Sequence, residues 1–124
     1  MHQPFCLEEN ITEAVEQIKN GKIKGLGLSN CTLAQAQTAD KLLKEYGFSL
    51  SAVQNHYSLL AMSTEQDNLI SWCNKNNVLY FGYMILEQGA LSGSYSSKRM
   101  FPLFSIRRMM CTTSVRKERN LTGF

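Results

Sequence analysis

The chain has 124 residues, 44% of them apolar and 19% charged, with a net charge of +3. That composition suits one compact globular domain, and its two prolines and eight glycines exclude a collagen-like or proline-rich chain. No run approaches the ~18 uncharged apolar residues of a membrane helix, and no charged segment leads into an apolar stretch as a secretory signal does. A cytoplasmic place with no membrane partner is therefore expected.

Residues 10–20 have a helical pattern. Asn10 is placed to cap it, Glu13 follows three residues later as in a capping box, and Ile11, Ala14, Val15 and Ile18 share one face. Gly21 suits the left-handed position that ends a helix. Residues 23–29 (Ile-Lys-Gly-Leu-Gly-Leu-Ser) form the first expected strand. A second helix follows, capped by Thr32 with Gln35 at its third position, using Leu33, Ala36, Leu43 and Tyr46 as apolar positions and stopping at Gly47. Leu50 to His56 is the second strand. Ser63 or Thr64 opens a third helix whose inner face draws on Leu69, Ile70, Trp72 or Cys73, with Asn77 beyond its end. Residues 78–83 make a third strand, apolar on both sides.

The expected strands start at 23, 50 and 78, so helix and strand alternate with a near-constant period. Such alternation, with continuously apolar strands, signals parallel β/α units with helices covering the sheet. Three units are fewer than the eight of a closed barrel. The sheet is either a small open one or part of a barrel.

Charge divides the chain. Residues 1–96 carry six Lys/Arg against nine Asp/Glu, a net −3, whereas residues 97–124 carry seven against one, a net +6. A basic tail of this kind is either an anion-binding arm or sequence foreign to the domain. It lacks clear periodicity beyond a short helical candidate at 103–111, and poor order is expected for residues 96–124. The four cysteines (6, 31, 73 and 111) form no CxxC pair, so free thiols in a reducing compartment are expected.

Polar groups gather at the strand ends, which carry function in β/α barrels. The first strand ends in Ser29-Asn30, the second in Gln54-Asn55-His56-Tyr57, and the third in Tyr83. Amide side chains donate and accept together and so suit another amide, and a tyrosine ring suits a flat heterocycle. Gly25-Leu26-Gly27-Leu28-Ser29-Asn30 approaches a dinucleotide fingerprint, but its glycines fall inside the strand rather than opening a helix, which rejects that reading. His2 and His56 lack neighbouring ligands at metal-site spacing, so no metal is expected.

Four segments, in order, resemble the aldo-keto reductases. Residues 21–30, GKIKGLGLSN, are similar to the family's GKIRxxGxSN, and residues 53–60, VQNHYSLL, to its NQVEYSLL. Residues 83–95, YMILEQGALSGSY, are similar to YSPLAQGxLTGKY, and Met1-His2-Gln3-Pro4 resembles the HxP end of an earlier strand. The likeness covers about residues 1–95.

The resemblance implies part of a (β/α)8 TIM barrel, with three to four parallel strands in residues 1–95. It also implies an NADP(H)-dependent oxidoreductase that reduces small aldehydes or ketones. His2 matches the histidine that polarises the carbonyl; Ser29, Asn30 and Gln54 match the residues that hold the nicotinamide carboxamide. Tyr83 matches the aromatic stacked on the nicotinamide, and Leu86, Gln88 and Gly89 match the loop along the pyrophosphate. Met84 stands where the family has Ser, which removes one hydroxyl contact. The family's catalytic Tyr, Lys and Asp belong to strands before the HxP segment and have no counterpart in these 124 residues. The expectation is thus an incomplete reductase beginning at an internal methionine, inactive alone and self-associating through open sheet edges, with no nucleic-acid partner. The alternative is a small α/β module that binds a nicotinamide nucleotide or an anion without catalysis.

Overall fold

A computed structural model describes residues 7–94. They divide into two units, one of residues 7–55 with 63–82 and one of residues 56–62 with 83–94. His2, Cys6, Cys111, the HxP segment, the tail and its candidate helix lie outside the described residues.

The first unit alternates helix and strand: α1 (Leu7–Lys19), β1 (Leu26–Ser29), α2 (Leu33–Glu45), β2 (Leu50–His56), α3 (Thr64–Lys75) and β3 (Leu79–Tyr83). The strands lie side by side in the order β1-β2-β3, with β1 and β2 parallel. Helix α1 packs beside α2, and α2 beside α3. One apolar cluster joins Ile11 and Val15 of α1, Ala36, Ala39 and Leu43 of α2, and Leu69 and Cys73 of α3 to Leu26, Leu28, Leu50 and Val53 of the sheet. All three helices therefore cover the same sheet face, as right-handed crossovers in a sheet built in chain order require.

The helix ends follow local chemistry. At α2 the Thr32 hydroxyl accepts from the Gln35 N–H, and the Gln35 side chain accepts from the Thr32 N–H, so two otherwise orphaned donors are satisfied. Ser63 caps α3 by accepting from the Gln66 N–H. Gly21, Gly47 and Asn77 take the left-handed conformation beyond α1, α2 and α3, with φ of 71°, 80° and 56°. In each case the next N–H reaches back five residues, Lys22 to Gln17, Phe48 to Leu43 and Val78 to Cys73, which closes the helix.

Four local expectations need correction. Helix α1 already includes Leu7, so Asn10 lies within it and does not cap it; Glu8 and Glu9 occupy its first turn, where acids complement the helix dipole. Strand β1 starts at Leu26, three residues after the expected start at 23. Tyr46 is exposed at the C-terminal cap of α2 with the Lys19 ammonium 5.3 Å above its ring, rather than in the core. Of the apolar positions in β3, Leu79 and Phe81 are 57% and 48% exposed, while Tyr80 packs against the helix-side core.

The late start of β1 coincides with a bulge. Leu26 pairs with Leu50, but Gly27 pairs with Ala52, so β2 advances two residues for one on β1. Ser51 is the extra residue, and it shifts the in-out alternation of β2 by one. Leu50 faces the helices, and beyond the bulge Val53 and Asn55 do so while Gln54 is exposed on the open face. Gly27 sits where the strands approach closely: an added Cβ would lie 3.2 Å from the Ala52 carbonyl oxygen.

In the second unit the segment after β2 turns tightly, with the Ala61 N–H donating to the Ser58 carbonyl and the Leu60 N–H to the Ser58 hydroxyl. The segment after β3 forms a 3-10 turn over Glu87–Gly89. Met84, Glu87, Gln88 and Gly89 all have left-handed backbones there, with φ of 59°, 46°, 53° and 97°.

Candidate functional site

In the first unit, Ser29 and Gln54 are register partners on β1 and β2. By alternation both side chains lie on the sheet face away from the helices, since Leu28 and Val53 occupy the other one. The strand pairing continues one residue further, as the Asn30 N–H donates to the Gln54 carbonyl at 2.9 Å. Asn30 then turns left-handed, with φ of 54°, a conformation asparagine tolerates better than most residues. Its Nδ2 donates to the Ser29 Oγ at 3.3 Å. The three residues expected to recognise an amide are thus brought together.

The turn behind them is held by a residue the sequence did not single out. Asn55 is buried, and its Oδ1 accepts from the Cys31 N–H at 3.1 Å while its Nδ2 donates to the Cys31 carbonyl at 2.7 Å. This two-bond bracket fixes the peptide that follows Asn30, and Thr32 starts α2 immediately after. Asp40 plays a similar part at the other end of β2. Nearly buried in α2, it accepts from the Leu50 N–H at 3.0 Å and pairs with the Lys44 ammonium at 2.6 Å.

Cys31 and Cys73 are free, buried thiols in this core. Burial pushes the Cys31 thiol up to about 11, and neighbouring Cys73 adds to the shift while a backbone hydrogen bond opposes it. Burial raises Cys73 as well. Neither thiol has the lowered pKa of a reactive cysteine.

In the second unit, Tyr83 at the end of β3 stacks on His56 at the end of β2, with ring centroids 5.5 Å apart and planes 26° from parallel. The Tyr57 N–H donates to the Tyr83 carbonyl at 3.2 Å. Glu87, only 3% exposed, accepts from the Ser58 hydroxyl and from His56 Nε2, the latter at 2.8 Å. Leu86 is exposed, while Gln88 and Gly89 are part of the left-handed turn. The expected loop residues therefore lie together with Tyr83 in this unit. His56, Ser58 and Glu87 were missed as a group because their contacts cross about thirty residues of sequence.

Chemically, the first unit offers a hydroxyl and two amides at paired strand ends, a donor and acceptor set that matches a primary carboxamide. The second offers an aromatic platform beside a turn. Among the described residues no group of His, Cys, Asp or Glu is arranged to hold a metal ion. No described helix is long and apolar enough to cross a membrane.

The profile of the Aldo/keto reductase family matches residues 1–116. The chain belongs to the aldo/keto reductase family. The matched span runs past residue 95 into the basic region. A pyridoxal reductase of Arabidopsis thaliana, described as chloroplastic, is 31% identical over 86 residues, which is 69% of this chain and 24% of that protein. The chain thus spans about a quarter of the length of the curated relative it matches. The fold of aldo/keto reductases is the (β/α)8 barrel, and the three strands with their helices are a portion of it. As an oxidoreductase family, aldo/keto reductases act on carbonyl compounds with a nicotinamide cofactor.

Proposed function

We propose that this chain carries the nicotinamide-holding portion of an NADP(H)-dependent aldo/keto reductase, and that the 124 residues alone do not turn over substrate. The observation that carries the reading is the register-paired amide set of Ser29, Asn30 and Gln54 on the open sheet face. Its donors and acceptors fit a carboxamide, and an exposed glutamine beside a left-handed asparagine has no evident packing role. Gln54 and Asn30 would pair with the carboxamide, and Ser29 would orient Asn30. Tyr83 would offer the nicotinamide the ring face turned away from His56. Leu86, Gln88 and Gly89 would run along the pyrophosphate, and His2 would polarise a small aldehyde or ketone. When bound, the nicotinamide supplies a hydride to the carbonyl carbon.

In this reading the 124 residues do not turn over substrate by themselves because none of them matches the family's catalytic Tyr or Lys. General acid catalysis contributes roughly 10²–10⁴-fold in rate, and nothing in these 124 residues matches the family's acid. Self-association is part of the same reading: among the described residues β1 and β3 are the outer strands of the sheet, and Leu79 and Phe81 are exposed on β3. A reducing compartment such as the cytoplasm fits the free buried thiols. We assign residues 1–95 to the barrel portion and 96–124 to a separate basic tail.

The test is calorimetric titration of NADP+ and NAD+ into the wild-type chain and Gln54→Ala. Weak binding of both cofactors, with little preference between them and a loss on Gln54→Ala, supports the reading. Equal binding by wild type and Gln54→Ala overturns the carboxamide assignment. NADPH oxidation with simple aldehydes at ~1–10 s⁻¹, the ordinary enzyme range, overturns the inactivity.

A further inference from the structure

Glu87 stands out in the second unit because a nearly buried carboxylate sits on a strained turn. Its own φ is 46° and that of Gln88 is 53°, two successive residues with side chains in the left-handed region before Gly89 at 97°. L-residues adopt this conformation at a cost and keep it only where the surroundings impose it. Here the surroundings are identifiable. The Glu87 N–H donates to the Met84 carbonyl at 2.8 Å, the Gly89 N–H to the Leu86 carbonyl at 2.9 Å, and the Ala90 N–H to the Glu87 carbonyl at 3.0 Å. The side chain returns in the opposite direction, to Ser58 and His56.

A carboxylate only accepts hydrogen bonds, so both partners donate to it. The Ser58 Oγ and His56 Nε2 both point to the same oxygen, Oε1. This is not a nucleophile's arrangement: the serine proton is committed to the carboxylate rather than to the imidazole. The Ser58 Oγ in turn accepts from the Leu60 N–H, so the carboxylate also anchors the turn after β2. His56, held at Nε2, lies against the Tyr83 ring.

The two ends of this contact are both departures from the family strings. NQVEYSLL has Glu where this chain has His56, and YSPLAQGxLTGKY has Ala where it has Glu87. The carboxylate stands on the turn instead of the strand, and an imidazole stands on the strand. The two departures meet at 2.8 Å.

We propose that Glu87 is a positioning residue: by accepting from Ser58 and His56 it locks the left-handed turn at 87–89 and holds the His56 imidazole against Tyr83. Its value to function rests on the reading above, in which Tyr83 and this turn meet a nicotinamide nucleotide. The lock itself is a property of the free chain and is tested without cofactor.

The experiment is proton NMR of the histidine ring, with amide exchange at Gly89 and Ala90, on the full chain as wild type, Glu87→Gln and Glu87→Ala. In wild type the His56 ring protons are shifted upfield by the Tyr83 ring current, and the turn amides are protected. Glu87→Gln keeps an acceptor oxygen and retains both signatures. Glu87→Ala loses the ring shift and exchanges about tenfold faster at the turn, while the amides of β1 and β2 are unchanged. Retention of both signatures in Glu87→Ala overturns the proposal, as does their loss in Glu87→Gln. Should Glu87→Ala not fold, Ser58→Ala and His56→Ala each remove one donor; faster turn exchange in either supports the lock and unchanged exchange in both refutes it. A chain that shows the lock but binds no NADP+ refutes the cofactor reading and leaves the lock standing.

Discussion

Replacing Asn55 by Ala isolates the bracket around Cys31. The substitution removes two hydrogen bonds at once and leaves the Cys31 N–H and carbonyl buried without them. Leaving a buried polar group unsatisfied costs about 1–3 kcal/mol. With two groups affected and some relaxation of the turn, the expected loss is about 2–4 kcal/mol. For a domain of this size one kcal/mol corresponds to roughly 4–8 °C in Tm, so Asn55→Ala should melt at least ~8 °C lower. The neighbouring Gln54→Ala is the control: its exposed side chain should leave Tm nearly unchanged. Asn55→Asp adds a sign. The carboxylate still accepts from the Cys31 N–H but opposes the Cys31 carbonyl oxygen, so burial and repulsion raise its folded-state pKa. A raised folded pKa gives stability that is present at low pH and lost as pH rises, so Asn55→Asp should recover toward wild type as the solution is acidified. Thermal melts by circular dichroism at neutral and mildly acidic pH read all three variants. A melt of Asn55→Ala indistinguishable from wild type would refute the claim that this bracket fixes the turn.

Cys31, raised to about 11 from 9.0, ionises first in the unfolded chain, so its contribution to stability is full below about pH 9 and lost as pH climbs toward 11. Cys31→Ala should flatten the alkaline part of the stability profile, and an unaltered profile counts against this account. Native Cys31 should also react with iodoacetamide far more slowly than unfolded Cys31, as mass-spectrometric mapping would show. Asn77→Gly should stabilise α3's end by up to about 1 kcal/mol, and Asn77→Ala should destabilise it by a similar amount, measured by urea unfolding. Light scattering should show species larger than a monomer, reduced by Phe81→Lys on the exposed face of β3; a monodisperse monomer contradicts the open-edge reading.

The elements visible in sequence were those fixed by neighbours in the chain. Thr32 and Gln35 form their capping box within four residues, and Gly21, Gly47 and Asn77 end helices by their own backbone preference. Strand β2 matches its expected span from Leu50 to His56. What escaped depended on distant partners. Asn10 has a capping residue's chemistry, but the helix had already begun before it. Asn55 looks like one more polar strand residue until the chain brings Cys31 to it from 24 residues away. Glu87 reads as an exposed loop acid, and only folding shows that Ser58 and His56 enclose it. The grouping of Ser29, Asn30 and Gln54 was legible because the alternating pattern put them at the ends of neighbouring strands, and the family resemblance then matched them as one set.

The bulge at Ser51 acts as a phase shifter. Counting by twos from Leu50 would send Ala52 and Gln54 toward the helices and leave Val53 in solvent. The bulge absorbs the one supernumerary residue and restores the phase, so Val53 faces the helices and the Gln54 amide stays on the open face. Length changes before Leu50, around Gly47 to Ser49, alter only a connection and leave the parity untouched. Deleting Ser51 would only remove the bulge: Ala52, Val53 and Gln54 would follow Leu50 in plain alternation and keep their partners Gly27, Leu28 and Ser29. A second inserted residue that the bulge does not absorb has the opposite character. It would keep every proposed site residue in the chain, yet turn Gln54 inward and Val53 outward, a loss that a comparison of residue identities alone would not detect.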